Sequence, residues 1–404
     1  MKKVKLSDDT KGLCTLILSI LAVYSIIWAF TEAGLFSSSV YNSYVLQARR
    51  WLTGNLDLGQ NYEWLEIAEF NNKFFISFPP IPSVIMLPFC LIFKESVPDY
   101  FITVIIGIIG AIYAYKIFRS MSVSWKNAVF WSLFATIGSN FLHIGYNGSV
   151  WYIAQVCGFT FTMMAFYYAM KTDLKFGWLP MFLLALAVGC RPLNAVYLPF
   201  IAYLMFVNLR KNEIKLGVAI RKFYWWIIPP LVVGVFYMWL NYARFGNVFE
   251  FGHNYLPEFA KESVNGQFHL SYIKENLVRM FRLPELADGK LVFPEFDGVA
   301  FWLVSPIFIG FVIYFFKNIR KNIKSPEVIM TIILIALHIL LLCAHKTLGG
   351  WQFGNRYTVD TLPCLVFGLA YMLKTDKANL EWLMTPLLFW GTCVNLVGTI
   401  LLVL

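Results

Sequence analysis

The chain has 404 residues, of which 59% are hydrophobic, 18% aromatic and only 14% charged, against about 25% charged in ordinary globular proteins. That is too little polar surface to coat soluble domains of this total size, so the composition excludes them and predicts an all-α polytopic membrane protein. The net charge of +10 does not point to nucleic acid, because no basic run reaches five or six residues.

In chain order, the apolar blocks predict about eleven membrane-spanning helices (ten to thirteen), at 13–31, 100–118, 127–145, 150–170, 177–190, 194–209, 223–243, 298–316, 328–344, 357–373 and 382–403. Most are long enough to cross a hydrocarbon layer about 30 Å thick at 1.5 Å per residue. The first block follows Met1–Lys11 directly and is too long for the apolar core of a cleavable signal peptide, so it is read as an anchor. Ile81–Phe93 is apolar but short and carries Pro82 and Pro88. It is read as a re-entrant or surface-lying segment.

Charge bias supports that choice. If 81–93 does not cross, the cytoplasmic side holds Met1–Lys11 and the loops near 116–126, 171–176, 210–222, 317–327 and 374–381. Those segments carry 20 of the 33 Lys and Arg, as the positive-inside rule requires. The N-terminus is then cytoplasmic, and 15 of the 23 Asp and Glu lie outside. All of these are in two long outer loops, 32–99 and 244–297, of a single transmembrane domain covering 1–404. The cytoplasmic connections are too short for a nucleotide-binding domain, and no phosphate-cradling motif appears. Any chemistry belongs to the outer face.

In the first outer loop Tyr41, Tyr44, Val45, Ala48, Trp51 and Leu52 recur at helical spacing, and Gly54-Asn55 closes the run as a C-cap does. This predicts an amphipathic helix, lying in the membrane interface or packed on the bundle rim. Further on, Glu63, Glu66 and Glu69 recur at spacing three. If helical, they share one face. Carboxylates gathered at an interface suit a general base, while the plainer reading is a solvated acidic face.

The spans hold few ionisable residues: His143, His338 and Asp360. Asp360 follows Arg356 by four, the spacing of an ion pair within a helix. A coupled transporter calls for several midplane charges and matching broken helices. Arg191, in GCRPL, and Arg356, in GGWQFGNRY (Gly349–Tyr357), stand at outer ends of spans. A guanidinium there suits a lipid phosphate, or snorkels to headgroups. The seven cysteines show no CxxC or metal-type spacing and read as small buried hydrophobes.

Several segments together resemble the GT-C superfamily of membrane glycosyltransferases, near the bacterial branch similar to protein O-mannosyltransferases. They are RWLTGNLDL (Arg50–Leu58), the acidic run Glu66–Glu69 leading into Lys73-Phe74-Phe75, FPPIPSVIMLPF (Phe78–Phe89), GCRPL, NYARFGNVFEFGHNY (Asn241–Tyr255), Ser305-Pro306 and GGWQFGNRY. The resemblance implies transfer of a sugar from a polyprenyl-phosphate carrier to a glycan, lipid or protein acceptor on the outer face of the bacterial cytoplasmic membrane. It implies an acidic residue of the first outer loop as base and a basic residue near the membrane boundary holding the departing phosphate.

Carried over by position, Glu66 is the base, where relatives commonly show Asp. Glu63, Glu69 and Glu32 are the alternatives. Arg356 binds the carrier phosphate with Arg191 second, and Lys73, Tyr255 and Tyr357 complete the substrate-binding candidates. Asn72 stands where relatives often have Gly, and no acidic pair follows the first span. No cofactor is expected beyond the lipid-linked donor, and no metal is predicted, although three outer carboxylates are enough to hold one. The other readings are a lipid or polysaccharide flippase or transporter, and a catalytically silent membrane scaffold.

Overall fold

The computed structural model describes residues 6–31, 33–94, 96–171, 173–257, 265–287, 289–375 and 380–403; Glu32, one of the alternative bases, lies outside them. The described chain is mostly helical. Seven helices among these residues are long and apolar enough to cross a membrane: Asp8–Phe30, Asp99–Ser120, Val150–Met170, Pro192–Lys211, Leu216–Phe245, Pro326–Ala344 and Glu381–Leu402. Each matches one expected span. The first shows how its end is set: the Ser7 hydroxyl accepts from the Thr10 N–H at 3.1 Å, and Asp8 and Asp9 occupy the first turn, where the helix dipole favours negative charge.

The four other expected spans do not form helices of that length and hydropathy. The block 127–145 divides into Trp125–Ala135 and Phe141–Gly145, and 298–316 into Phe301–Val304 and Ile307–Lys317. The block 177–190 forms the ten-residue helix Leu179–Val188, and 357–373 begins as 3-10 turns over Arg356–Thr361 before the helix Leu362–Thr375. Proline explains one of the breaks directly. Pro306 offers no N–H and disfavours helical backbone in Ser305 before it.

The chain divides into two compact units, each assembled from separated segments. The first comprises Leu35–Ile106 and Asn147–Gln267. The expected amphipathic helix is present as Ser43–Leu52. Its apolar side is buried: Tyr44, Val45 and Ala48 pack with Met86 and Cys90 of helix Ile81–Phe93 and with Ile153 and Cys157 of Val150–Met170. A buried hydrogen bond from Ser83 Oγ to Gln47 Oε1, 2.8 Å long, joins the two short helices. Packing on a bundle, the plainer of its two readings, therefore describes this helix. The expected cap is also there. Gly54 adopts φ 77°, and the Asn55 N–H returns to the Arg50 carbonyl at 2.9 Å. Helix Ile81–Phe93 has 13 residues, about 20 Å at the helical rise, and is held at its start by Ile81 N–H donating to Gly189 O at 3.0 Å.

The second unit comprises Met1–Gly34, Gly107–Tyr146 and Phe268–Leu404. Its helix breaks meet one another. Asn140 N–H donates to Ser305 Oγ at 3.0 Å, and Asn140 Nδ2 donates to Phe353 O at 3.1 Å and to Asn395 Oδ1 at 3.0 Å. Asn395 Nδ2 in turn donates to Val304 O at 2.6 Å. Backbone groups released by the breaks are thus satisfied by side chains, as an apolar environment demands. In the outer-loop segment, Arg279 pairs with Asp297 at 2.7 Å. Burial nevertheless pushes the Asp297 carboxyl above the usual carboxylate range, with Arg279 opposing.

The all-α expectation needs one correction. Among the described residues two antiparallel hairpins occur, Ile67–Phe70 with Lys73–Ile76 and Glu285–Ala287 with Lys290–Val292. The first of them decides how the candidate carboxylates are arranged.

Candidate functional site

In that hairpin the strands pair Phe70 with Lys73, leaving Asn71 and Asn72 as a two-residue turn at φ 51° and 57°. A two-residue turn with both φ positive has the twist that adjacent strands need. It also accounts for Asn72 in place of the glycine of the resembled family, because asparagine is the residue that visits this left-handed region most readily after glycine. Asn72→Gly should therefore leave the melting temperature almost unchanged, whereas Asn72→Val should destabilise the unit by about 1–2 kcal/mol. A thermal melt of both variants checks this.

The hairpin overturns the shared helical face of Glu63, Glu66 and Glu69. Glu63 is exposed in the turn before the strands, Glu66 immediately precedes the first strand, and Glu69 is exposed within it. Alternation along a strand has replaced the three-residue periodicity. Glu66 alone is half-buried. Its Oε1 accepts from the indole Nε1 of Trp151 at 3.1 Å. Lys73 is exposed at the start of the second strand. Tyr255 is drawn into a small aromatic core, 4.6 Å from the Phe70 ring and 5.5 Å from Phe245, with Ala68, Phe75 and Leu256. Arg191 is half-buried; its side chain approaches Gly158, where an added Cβ would lie 3.0 Å from Arg191 Cγ.

One residue of this unit escaped the sequence reading. Arg244, near the end of helix Ile228–Phe245, is only 4% exposed. Its guanidinium donates to Ile76 O at 2.7 Å, Asn241 Oδ1 at 3.0 Å and Leu240 O at 3.4 Å. All three acceptors are neutral, and among the described residues no carboxylate pairs with it. A buried cation without a counter-charge is costly. The signal was at hand, since Arg244 sits inside NYARFGNVFEFGHNY, but nothing in a linear motif reveals burial.

Arg356 and Tyr357 belong to the other unit. The loop before them is ordered by pairing of residues 295–299 with 350–354: Gln352 N–H donates to Glu295 O, Asp297 N–H to Gly350 O and Val299 N–H to Gly354 O, at 2.9–3.0 Å. Arg356 is 4% exposed. Its backbone N–H donates to Gln352 Oε1 and its Nη2 to Gly349 O, both at 2.9 Å. Its guanidinium carbon lies 4.9 Å from the centre of the half-buried Tyr357 ring. Asp360 is buried in the same 3-10 segment. Of the buried histidines, His143 reaches Thr399 Oγ1 at 3.1 Å and His338 lies within Pro326–Ala344. Among the described residues no group of three or more His, Cys, Asp or Glu side chains is arranged to hold a metal ion.

No protein-family model matches the chain, and no curated protein matches it. Among solved structures it is similar to ArnT from Cupriavidus metallidurans. The TM-score is 0.53 at 12% identity for the form bound to undecaprenyl phosphate, covering 92% of this chain, and 0.54 at 12% identity for the apo form, covering 94%. The chain spans only 61–62% of the ArnT chains it matches. What the likeness shows is the fold alone: this multi-helical chain, with seven helices of membrane-crossing length among its described residues, resembles the part of ArnT that it covers.

Proposed function

We propose that the protein is a membrane glycosyltransferase of the GT-C type, moving a sugar from a polyprenyl-phosphate carrier to an acceptor hydroxyl. The observation that carries this reading is the likeness, over 92% of the chain, to an ArnT structure bound to undecaprenyl phosphate. The resemblance of the chain's motifs to the branch near protein O-mannosyltransferases agrees with it. Glu66 takes the proton from the acceptor hydroxyl as the oxygen attacks the sugar's anomeric carbon. The bond from that carbon to the phosphate oxygen breaks, and polyprenyl phosphate leaves with the electron pair. The candidates for holding the departing phosphate are, within the first unit, Arg191 with Lys73 and, within the second, Arg356 with Tyr357. Arg244 is a further candidate in the first unit, as a buried guanidinium whose partners are all neutral.

The same reading gives eleven crossings, the interrupted blocks included, with the N-terminus in the cytoplasm and the chemistry on the outer face of the bacterial cytoplasmic membrane. A flippase is the weaker reading, because the long helices hold so few charged residues.

The test uses undecaprenyl phosphate as probe, with binding to the purified full chain followed by native mass spectrometry. Arg356→Ala and Arg244→Ala are each expected to weaken binding at least tenfold, because each removes a charge-assisted donor that water does not replace. Glu66→Gln should bind as wild type does. Equal binding by wild type and both arginine variants would remove the phosphate assignment.

A further inference from the structure

We propose that Trp151 is a positioning residue for Glu66, its indole N–H holding the carboxylate turned toward the first turn of helix Val150–Met170. The proposal rests on the reading of Glu66 as the base. The bond itself is 3.1 Å, from Trp151 Nε1 to Glu66 Oε1. An indole N–H can only donate, so Glu66 Oε1 is the acceptor and the bond fixes which way the carboxylate faces.

The indole is itself held by more than ring packing. Trp151 is the second residue of its helix, and its ring lies 5.1 Å from that of Tyr41. Tyr41 O accepts the Val150 N–H at 2.9 Å, and Tyr41 N–H donates to Ser39 Oγ at 3.0 Å. Ser39 Oγ bonds Ser149 Oγ at 2.9 Å, and Ser39 N–H donates to Asp99 Oδ1 at 2.9 Å. Asp99 is 1% exposed. Gly148 allows this close approach, because a Cβ there would fall 2.3 Å from Asp99 Oδ1. A buried acid thus anchors the residues flanking the helix start, and that turn fixes the indole against Glu66. Restricting a catalytic group to one orientation lowers the barrier without changing substrate affinity.

Dicyclohexylcarbodiimide, which adds to carboxyls and leaves a stable mass tag, reads how firmly Glu66 is held without any sugar donor. At pH 7, Trp151→Phe is expected to raise tagging of Glu66 several-fold, with tagging of the exposed Glu63 and Glu69 unchanged. Trp151→His, which keeps a ring N–H, should give a smaller rise. With a turned-over donor, Trp151→Phe should lower kcat and leave the donor KM unchanged. Equal Glu66 tagging in wild type and both variants overturns the proposal. So does a parallel rise at all three glutamates, which would mean that the loop has loosened. Full turnover in Glu66→Gln removes the base reading whatever the tagging shows, whereas unchanged tagging beside an inactive Glu66→Gln removes only the role of Trp151.

Discussion

Replacing Glu66 by Gln is expected to lower turnover of a polyprenyl-phosphate sugar by about 10²–10⁴-fold, the usual contribution of a positioned base. The substitution keeps the shape of the side chain and an oxygen that can still accept from Trp151, so melting temperature and undecaprenyl phosphate binding should not change. Glu63→Gln and Glu69→Gln should retain wild-type turnover, because both side chains are exposed and neither shares a helical face with Glu66. Release of polyprenyl phosphate from a set of farnesyl-phosphate-linked hexoses, followed for all three variants, is the measurement. Activity surviving Glu66→Gln but lost in Glu63→Gln or Glu69→Gln would move the base to the exposed side of the loop.

The second large effect is structural. Gly298 sits at φ 80°, and a Cβ there would fall 1.7 Å from the Gly354 carbonyl oxygen. That carbonyl accepts the Val299 N–H at 3.0 Å, one rung of the pairing that orders the loop before Arg356. Gly298→Ala adds left-handed strain of about 1–2 kcal/mol to an overlap with backbone that cannot rotate away, typically worth about 1–3 kcal/mol. A lowered melting temperature and weakened undecaprenyl phosphate binding should appear together. Gly350→Ala provides the contrast, since its φ is 66° but nothing lies within 4 Å. Only the strain remains there, and a loss as large as that of Gly298→Ala would show that the overlap is relieved.

Much of the architecture was legible because lipid solvent imposes a one-dimensional rule. An apolar run of membrane length reads as a helix wherever it occurs, and seven of the expected spans lie on helices long enough to cross, two of them with a 3-10 turn inside. The breaks within 127–145 and 298–316 were not legible in the same way. Asn140, Ser305 and Asn395 satisfy the freed groups from distant parts of the sequence, and a hydropathy profile carries no record of such partners. The first hairpin was obscured by coincidence: three glutamates at spacing three imitate a helix face, and the Asn71-Asn72 turn is a quieter signal than Asn-Gly. Glu66 and Arg356 are named as candidates from residue type and segment order alone. The burial of Arg244 among neutral partners and the Trp151–Glu66 hydrogen bond are not visible in the sequence, because each depends on residues far apart in the chain.

The junction of Asn140, Val304 and Asn395 bears on how the protein is made. A ribosome delivers the three segments in sequence, and the first two enter the bilayer before residues 391–395 exist. Until then the Val304 carbonyl and the Asn140 amide have lost the partner that Asn395 later supplies, in surroundings with little water to replace it. The broken helices therefore wait, half-finished, for the segment Glu381–Val403. A chain halted before that segment would keep the breaks but lack the side chain that closes them, so the pairing of early and late segments is completed only with Asn395.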